Sequence, residues 1–432
     1  MTISPYDHMA MTICPMTKCL MTISPNTGME KHMEEFQNRQ LLVIAKEKLT
    51  FTVIFITVTM EEICAANNQF GLDIVRGLNL NENLILSSFS IMTSLYMVYF
   101  GARGNTASQM KQALHFENIT DVHSGFKELL AVMNGSSSYT LNIVNRFFGE
   151  QTLDFMEAYL EGSRQWYNSE LKKVDFRDNP EPTRQYINNW IEEQTRGKIQ
   201  NLLPENSVNS DTQLVIANVI YLLANWTHRF PECGTYNESF TLSNNEEVIV
   251  EMMSTTSDFN YLNTSVNGQN AQILELPYGD DSNLSMFIIL PDAGTNLAML
   301  EENFSLETIM DWTNSEHMEN TIVNVQLPRF RVENSISLND VLPSLGMGEL
   351  FAPGANLSGI ASGDFYVSGL HHRAYVNIDE DGTEAAAVTA VTVSVTSIGP
   401  TPIQFKANHP FFFTIQHKAT KCILFYGRLI SP

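Results

Sequence analysis

Apolar residues fall into helical spacing in the first part of the chain and into strand spacing later. From Glu61 to Gly77, Ile63, Phe70, Ile74 and Leu78 recur on one side, which predicts an amphipathic helix. Ile91 to Leu114 continues as a long apolar helical pattern, interrupted at Gly101–Thr106, with Thr106 a candidate cap for its second part. Asp121–Met133 and Thr183–Gln194 read as further amphipathic helices. Leu214–Leu223 is then almost unbroken apolar sequence, the mark of a buried strand. Ala271–Leu276 and Leu284–Leu290 flank the turn residues Gly279-Asp280-Asp281 and predict a strand pair. Thr321–Leu327, Phe365–Leu370, Ala374–Ile378, Phe411–Gln416 and Cys422–Arg428 complete the strands. Helices first and strands later predict an α+β fold with large mixed sheets and a helical N-terminal half. No long linker interrupts residues 60–432, so they are expected to form a single domain.

One segment fits neither period. After Asp379-Glu380-Asp381-Gly382, the chain reads Thr383-Glu384-Ala385-Ala386-Ala387-Val388 and continues small or β-branched through Thr396. Past Glu384 it carries no charge, Pro or Gly until Gly399. Its residues favour the extended state, yet about eighteen residues is far longer than an ordinary strand. An unusual buried strand and an ordered Ala/Thr-rich linker are the plain readings. A third is a loop able to join a sheet. Insertion of about a dozen residues would add as many ladder hydrogen bonds at about 1 kcal/mol each. Burial of Val391 and Val393 adds about 1.5–3 kcal/mol apiece. A gain on the order of 10 kcal/mol rivals the stability of a whole domain.

Charge and cysteine content narrow the partners. Lys and Arg number 25 against 48 Asp and Glu, a net charge of −23, and no basic run is present. This argues against nucleic acid and anionic membranes as partners. The five cysteines, Cys14, Cys19, Cys64, Cys233 and Cys422, are too few and too scattered for a disulfide framework or a zinc site. No metal or cofactor is expected. No nucleophile elbow, metal-spaced His pair or phosphate loop suggests an enzyme. Residues 1–59 differ from the rest: Met1–Pro5, Met11–Pro15, Met16–Leu20 and Met21–Pro25 are near-repeats of low complexity. Leu49–Met60 is an apolar run of about twelve residues, short of the roughly twenty that span a bilayer. The expectation is a disordered or non-native extension over 1–59, with Met60 the functional start. The alternative is a secretory signal begun at Met29 or Met33.

From Met60 onward the chain resembles the serpin family. The resemblance is carried by Asn83–Ile91, Tyr99–Thr106, Asn218-Val219-Ile220-Tyr221 with Asn225-Trp226, Leu327–Phe330, Asp340–Leu357, His409–Phe413 and Ile423–Arg428. Met60-Glu61-Glu62 followed by Ala66-Asn67 and Phe70 is similar to the N terminus of the ovalbumin-type, intracellular branch, which implies a cytoplasmic protein; a secreted one is the alternative. The resemblance implies the serpin fold, with an exposed reactive loop at about 379–400 and a metastable monomer prone to loop–sheet polymerisation. It implies a hinge at Glu380, Gly382, Thr383, Glu384, Ala385, Ala386, Ala387 and Val388, where Val388 is bulkier than the family prefers. Ser87, Ser90, Asn218 and His372 match the polar cluster that controls sheet opening. Arg329 and Glu380 match an ion pair at the top of the sheet, worth at most about 1 kcal/mol if it lies on the surface. Ser88 stands where the family has Pro.

By the same resemblance the function is suicide inhibition of serine proteases, and sometimes cysteine proteases, through an acyl-enzyme. Counting from the hinge puts the attacked bond at Thr396-Ser397; a shift of one gives Ser397-Ile398. The small uncharged residue there suits an elastase-like pocket. A non-inhibitory serpin acting in storage, as a chaperone or as a binding protein is the alternative.

Overall fold

The computed structural model describes residues 60–292, 295–383 and 401–432. The first helix, α1, covers 60–76, and β1 (Leu84–Leu86), α2 (Ser88–Gly101), α3 (Gly104–Ala113) and α4 (Val122–Asn134) follow. Next come β2 (Tyr139–Glu150), β3 (Asp154–Phe155), α5 (Glu157–Tyr167), β4 (Leu171–Val174), α6 (Pro180–Gln194) and β5 (Leu214–Asn225). The middle of the chain is β6 (Tyr236–Thr241), β7 (Glu247–Val266), β8 (Gln269–Tyr278), β9 (Leu284–Pro291), α7 (Leu297–Glu301), α8 (Leu306–Trp312) and β10 (Glu319–Pro328). The last part is β11 (Phe330–Ser337), β12 (Ala361–Ser362), β13 (Gly369–Ile378), β14 (Gly382–Thr383), β15 (Ile403–Lys406), β16 (Phe411–His417) and β17 (Cys422–Leu429).

Local chemistry sets several boundaries. The Ser87 hydroxyl caps α2 by accepting from the Ser90 N–H at 3.2 Å, and Asp121 caps α4 by accepting from the Ser124 N–H at 3.2 Å. Asn267 and Gly268, at φ 49° and 79°, make the two-residue turn that β7 and β8 need as a twisted hairpin. Thr106 is not a cap. Arg103 holds that position without a side-chain bond, while the Thr106 hydroxyl donates to Glu349 at 2.7 Å and accepts from the Asn356 N–H at 2.9 Å. Phe365–Leu370 is not a strand over most of its length. The Val367 and Ser368 N–H groups donate to Leu350 and Leu214, and β13 begins only at Gly369.

Two sheets carry the fold. A nine-stranded sheet runs β1-β17-β16-β9-β8-β7-β10-β15, with β6 paired to β7. A six-stranded mixed sheet runs β11-β13-β14-β5-β2-β4. In its middle, β13 and β5 pair directly and in parallel from Gly369↔Val215 to Tyr375↔Tyr221. Both faces of this sheet are covered, which explains why β5 reads as an unbroken apolar run. Leu214, Ile216, Ile220, Leu222 and Ala224 of β5 join the main core with α2. Val215, Ala217, Val219 and Tyr221 join a second cluster with Ile187 and Ile191 of α6. Ser88 is fully buried in α2, and its hydroxyl has no partner among the described residues; the added rigidity of Pro is absent there.

Candidate functional site

The parallel seam between β13 and β5 is already parted at its top. There β14 lies between the two strands, antiparallel to both: Thr383 faces Ile378 on one side and Ala224 on the other, and Gly382 faces Asn225. Gly382 sits at φ 150°, and a Cβ on it would come within 2.1 Å of the Ala224 carbonyl oxygen. Only glycine fits that position. Thr383 is fully buried, and its hydroxyl shares a 2.7 Å hydrogen bond with the Tyr278 hydroxyl.

The turn that delivers β14 is built from carboxylates. Asp379 Oδ1 accepts from the N–H groups of Asp381 at 3.0 Å and Gly382 at 3.2 Å. Burial pushes the Asp379 carboxyl above its ordinary range, and the neighbouring Asp381 and Glu380 charges push the same way. Arg329 grips Glu380, with Nε 2.7 Å from Oε2 and Nη2 2.7 Å from Oε1, and the Thr235 hydroxyl donates to the same carboxylate. Glu380 is only 5% exposed while the Arg329 side chain is 38% exposed, so the pair is half-buried. Burial raises the Glu380 pKa, but the bonds from Arg329 and Thr235 outweigh it and hold the carboxyl below the usual glutamate value. Charge-assisted bonds of this kind are worth about 1.5–3 kcal/mol.

Lower in the seam, the four predicted polar residues meet. Asn218 and His372 are direct partners in the β5–β13 register. The Ser87 backbone N–H donates to His372 Nε2 at 3.2 Å, so that nitrogen must be unprotonated; Nδ1 then donates to Asn218 Oδ1 at 2.5 Å. Asn218 Nδ2 donates to the Ser90 carbonyl at 2.7 Å and the Ser90 hydroxyl at 2.9 Å. All four residues are fully buried. Sequence reading missed Ser94 and Asn145, whose oxygens also lie within hydrogen-bond reach of Asn218 Nδ2 and compete for its two hydrogens. Neither residue lies in a motif, and β2, which carries Asn145, was not predicted. Tyr278 and Thr235, which hold the rung and the turn, lie in no motif either, and Trp226 was read only as part of the motif with Asn225, without a role at the turn.

Burial lowers the His372 pKa to about 3. A depressed folded-state value means that the unfolded chain takes up the proton first as pH falls. This part of the stability is therefore complete above the ordinary histidine value of 6.5 and is lost between there and about 3. Melting temperature should accordingly fall below pH 6.5. His372→Gln should remove about one proton's worth of the slope, roughly 1.4 kcal/mol per pH unit. An unchanged slope in that variant would contradict the assignment. His123 and His371, each lowered to about 4 by burial, contribute in the same direction and remain in the variant.

Glu384, Ala385, Ala386, Ala387 and Val388 of the predicted hinge, and Thr396 and Ser397 of the predicted bond, lie outside the described residues. Among the described residues no group of three His, Cys, Asp or Glu side chains could hold a metal ion. Cys64, Cys233 and Cys422 are free thiols, and no described helix is long and apolar enough to cross a membrane.

Comparison with known proteins gives a consistent result. The family model described as serpin (serine protease inhibitor) matches residues 65–432. Leukocyte elastase inhibitor of Sus scrofa is 40% identical over 382 residues, which cover 86% of this chain and 100% of the relative. Human serpin B3 is 38% identical over 394 residues with the same coverage. The crystal structure of uncleaved ovalbumin superposes with a TM-score of 0.79 at 31% identity, covering 86% of this chain and 100% of that one. Human thyroxine-binding globulin in complex with its ligand also gives a TM-score of 0.79, at 25% identity over 87% of this chain and 99% of that one.

Proposed function

The chain belongs to the serpin family, and on that premise we propose that it is a suicide inhibitor of serine proteases with elastase-like pockets, acting through the segment that follows Gly382. The inhibitory domain in this reading is 60–432, with 1–59 an extension, and the setting is cytoplasmic. In the reaction, the target's nucleophilic oxygen bonds to the Thr396 carbonyl carbon and the Thr396–Ser397 bond breaks. The proton passes through the target's own base to the Ser397 nitrogen, and the target is left esterified to Thr396. The freed segment then joins the six-stranded sheet and carries the target with it. Cysteine proteases are a lesser target class by the same chemistry.

The observation that carries this reading is the β14 rung. Two residues of the segment already stand where the rest would follow. Because β14 is antiparallel to both neighbours, each further residue steps one back along both. Six residues beyond Thr383, Thr389 arrives between Asn218 and His372, six back from Ala224 and Ile378. Insertion therefore exchanges the Asn218–His372 bond for contacts with a threonine. Thr383, Ala385, Ala387, Thr389, Val391 and Val393 take the α2 side. Glu384 and the bulky Val388 take the other side, where residue 388 arrives between Val219 and Arg373, against the second cluster.

Incubation with an elastase-like protease should give a complex that survives SDS, together with a short peptide beginning at Ser397. The second reading, a non-inhibitory binding protein, draws on the thyroxine-binding relative. It expects cleavage without any covalent complex.

A further inference from the structure

The hydroxyl pair beneath the β14 rung ties the two sheets together. Tyr278 ends β8 of the nine-stranded sheet, whereas Thr383 belongs to the six-stranded one. The tyrosine cannot drift. Its ring stacks on Trp226 at a centroid separation of 4.3 Å and an interplanar angle of 14°. The Asn225 carbonyl accepts from the Gly279 N–H at 2.8 Å, and the Pro277 carbonyl accepts from the Thr227 N–H at 2.9 Å. Trp226 in turn grips the hinge turn: its backbone N–H donates to the Asp381 carbonyl at 2.8 Å and Nε1 to the Asp379 carbonyl at 3.0 Å.

From this arrangement we infer that Tyr278 is a positioning residue for insertion: its hydroxyl keeps Thr383 in the first rung and so sets the register and the speed with which the following residues join the sheet. The inference rests on the inhibitory reading above. Register matters because a slip of one residue turns every side chain to the opposite face. Here a slip would put the Glu384 charge against the main core. A rung held beforehand also removes the search for a first pairing, the slow part of forming any ordered element. Tyr278 bonds to Thr383, well before the proposed bond in the chain. Its loss should act after cleavage and not before it.

Tyr278→Phe tests this, since phenylalanine retains the stacking on Trp226. The rate of first attack by an elastase-like protease should stay within about two-fold of wild type. The ratio of cleaved free inhibitor to covalent complex should rise about three- to ten-fold, the effect of one buried hydrogen bond. Thr383→Val should give the same shift, Thr383→Ser should not, and the Tyr278→Phe/Thr383→Val double variant should shift no further than either single. The same variants nicked between 384 and 395 by a metalloprotease, which forms no acyl intermediate, report insertion alone. Their gain in thermal protection after nicking should be slower by the same factor. If wild type nicks and stabilises without ever forming the covalent complex, the inhibitory reading fails and the slower gain in Tyr278→Phe still supports the latch. A ratio and a rate of protection unchanged in Tyr278→Phe, or a Thr383→Ser variant as impaired as Thr383→Val, would overturn it.

Discussion

Ala387→Arg should abolish the SDS-stable complex while leaving the first cleavage of the loop almost unchanged. In the register of β14, residue 387 falls four steps beyond Thr383, between Ile220 of β5 and Ala374 of β13. Both flanking residues are fully buried in the main core. An arginine arriving there would bury an unpaired charge, at a cost of several kcal/mol. Insertion would slow by on the order of 10²–10³-fold, and deacylation of the target would win. The chain would become a plain substrate. Glu384 is the natural control, since the same register turns its charge away from that core. Comparable complex formation by Ala387→Arg and wild type would contradict the register, as would equal loss in Glu384→Gln.

Thr396→Arg should redirect the inhibitor from elastase-like to trypsin-like proteases. The target reads the residue before the attacked bond in its primary pocket, and an acidic pocket discriminates strongly for a cation. A change of roughly 10²-fold or more in the ratio of association rates is expected. The sheet-joining residues are untouched, so the complexes formed should be equally stable to SDS. If the switch appears at Ser397→Arg and not at Thr396→Arg, the attacked bond is Ser397-Ile398. If neither variant gains activity toward trypsin-like enzymes, the segment is not the bait.

How legible each feature was depended on how local its signal is. The β5 run announced a strand covered on both faces, because nothing polar interrupts it except Asn218, and that residue proved to be the bonded centre of the seam. Gly382 was read as a hinge glycine from its neighbours; the need for glycine there, with the Ala224 carbonyl within 2.1 Å of any added Cβ, is a matter of packing that the sequence does not carry. By contrast, β7 is twenty residues long and went unread. Ser254, Thr256, Asn260 and their neighbours give it no clean alternation; on that face, side-chain amides and hydroxyls bond across to β10, as Asn324 does to Thr256 at 2.8 Å. The Glu380–Arg329 pair was visible as a pair, but its burial was not. Burial there comes from the chain turning at Asp379–Gly382 and from Thr235 closing over the carboxylate. Tyr278 had no sequence signal at all: it is a strand-end aromatic whose role arises from where the two sheets meet.

Whether the segment after Gly382 can join the six-stranded sheet is read from the melting temperature before and after a single cut within 384–395. The nicked chain should melt higher than the intact one by at least about 10 °C. This follows from a gain on the order of 10 kcal/mol spread over a chain of this size. A nicked chain that melts at the same temperature as the intact one, or below it, would contradict insertion.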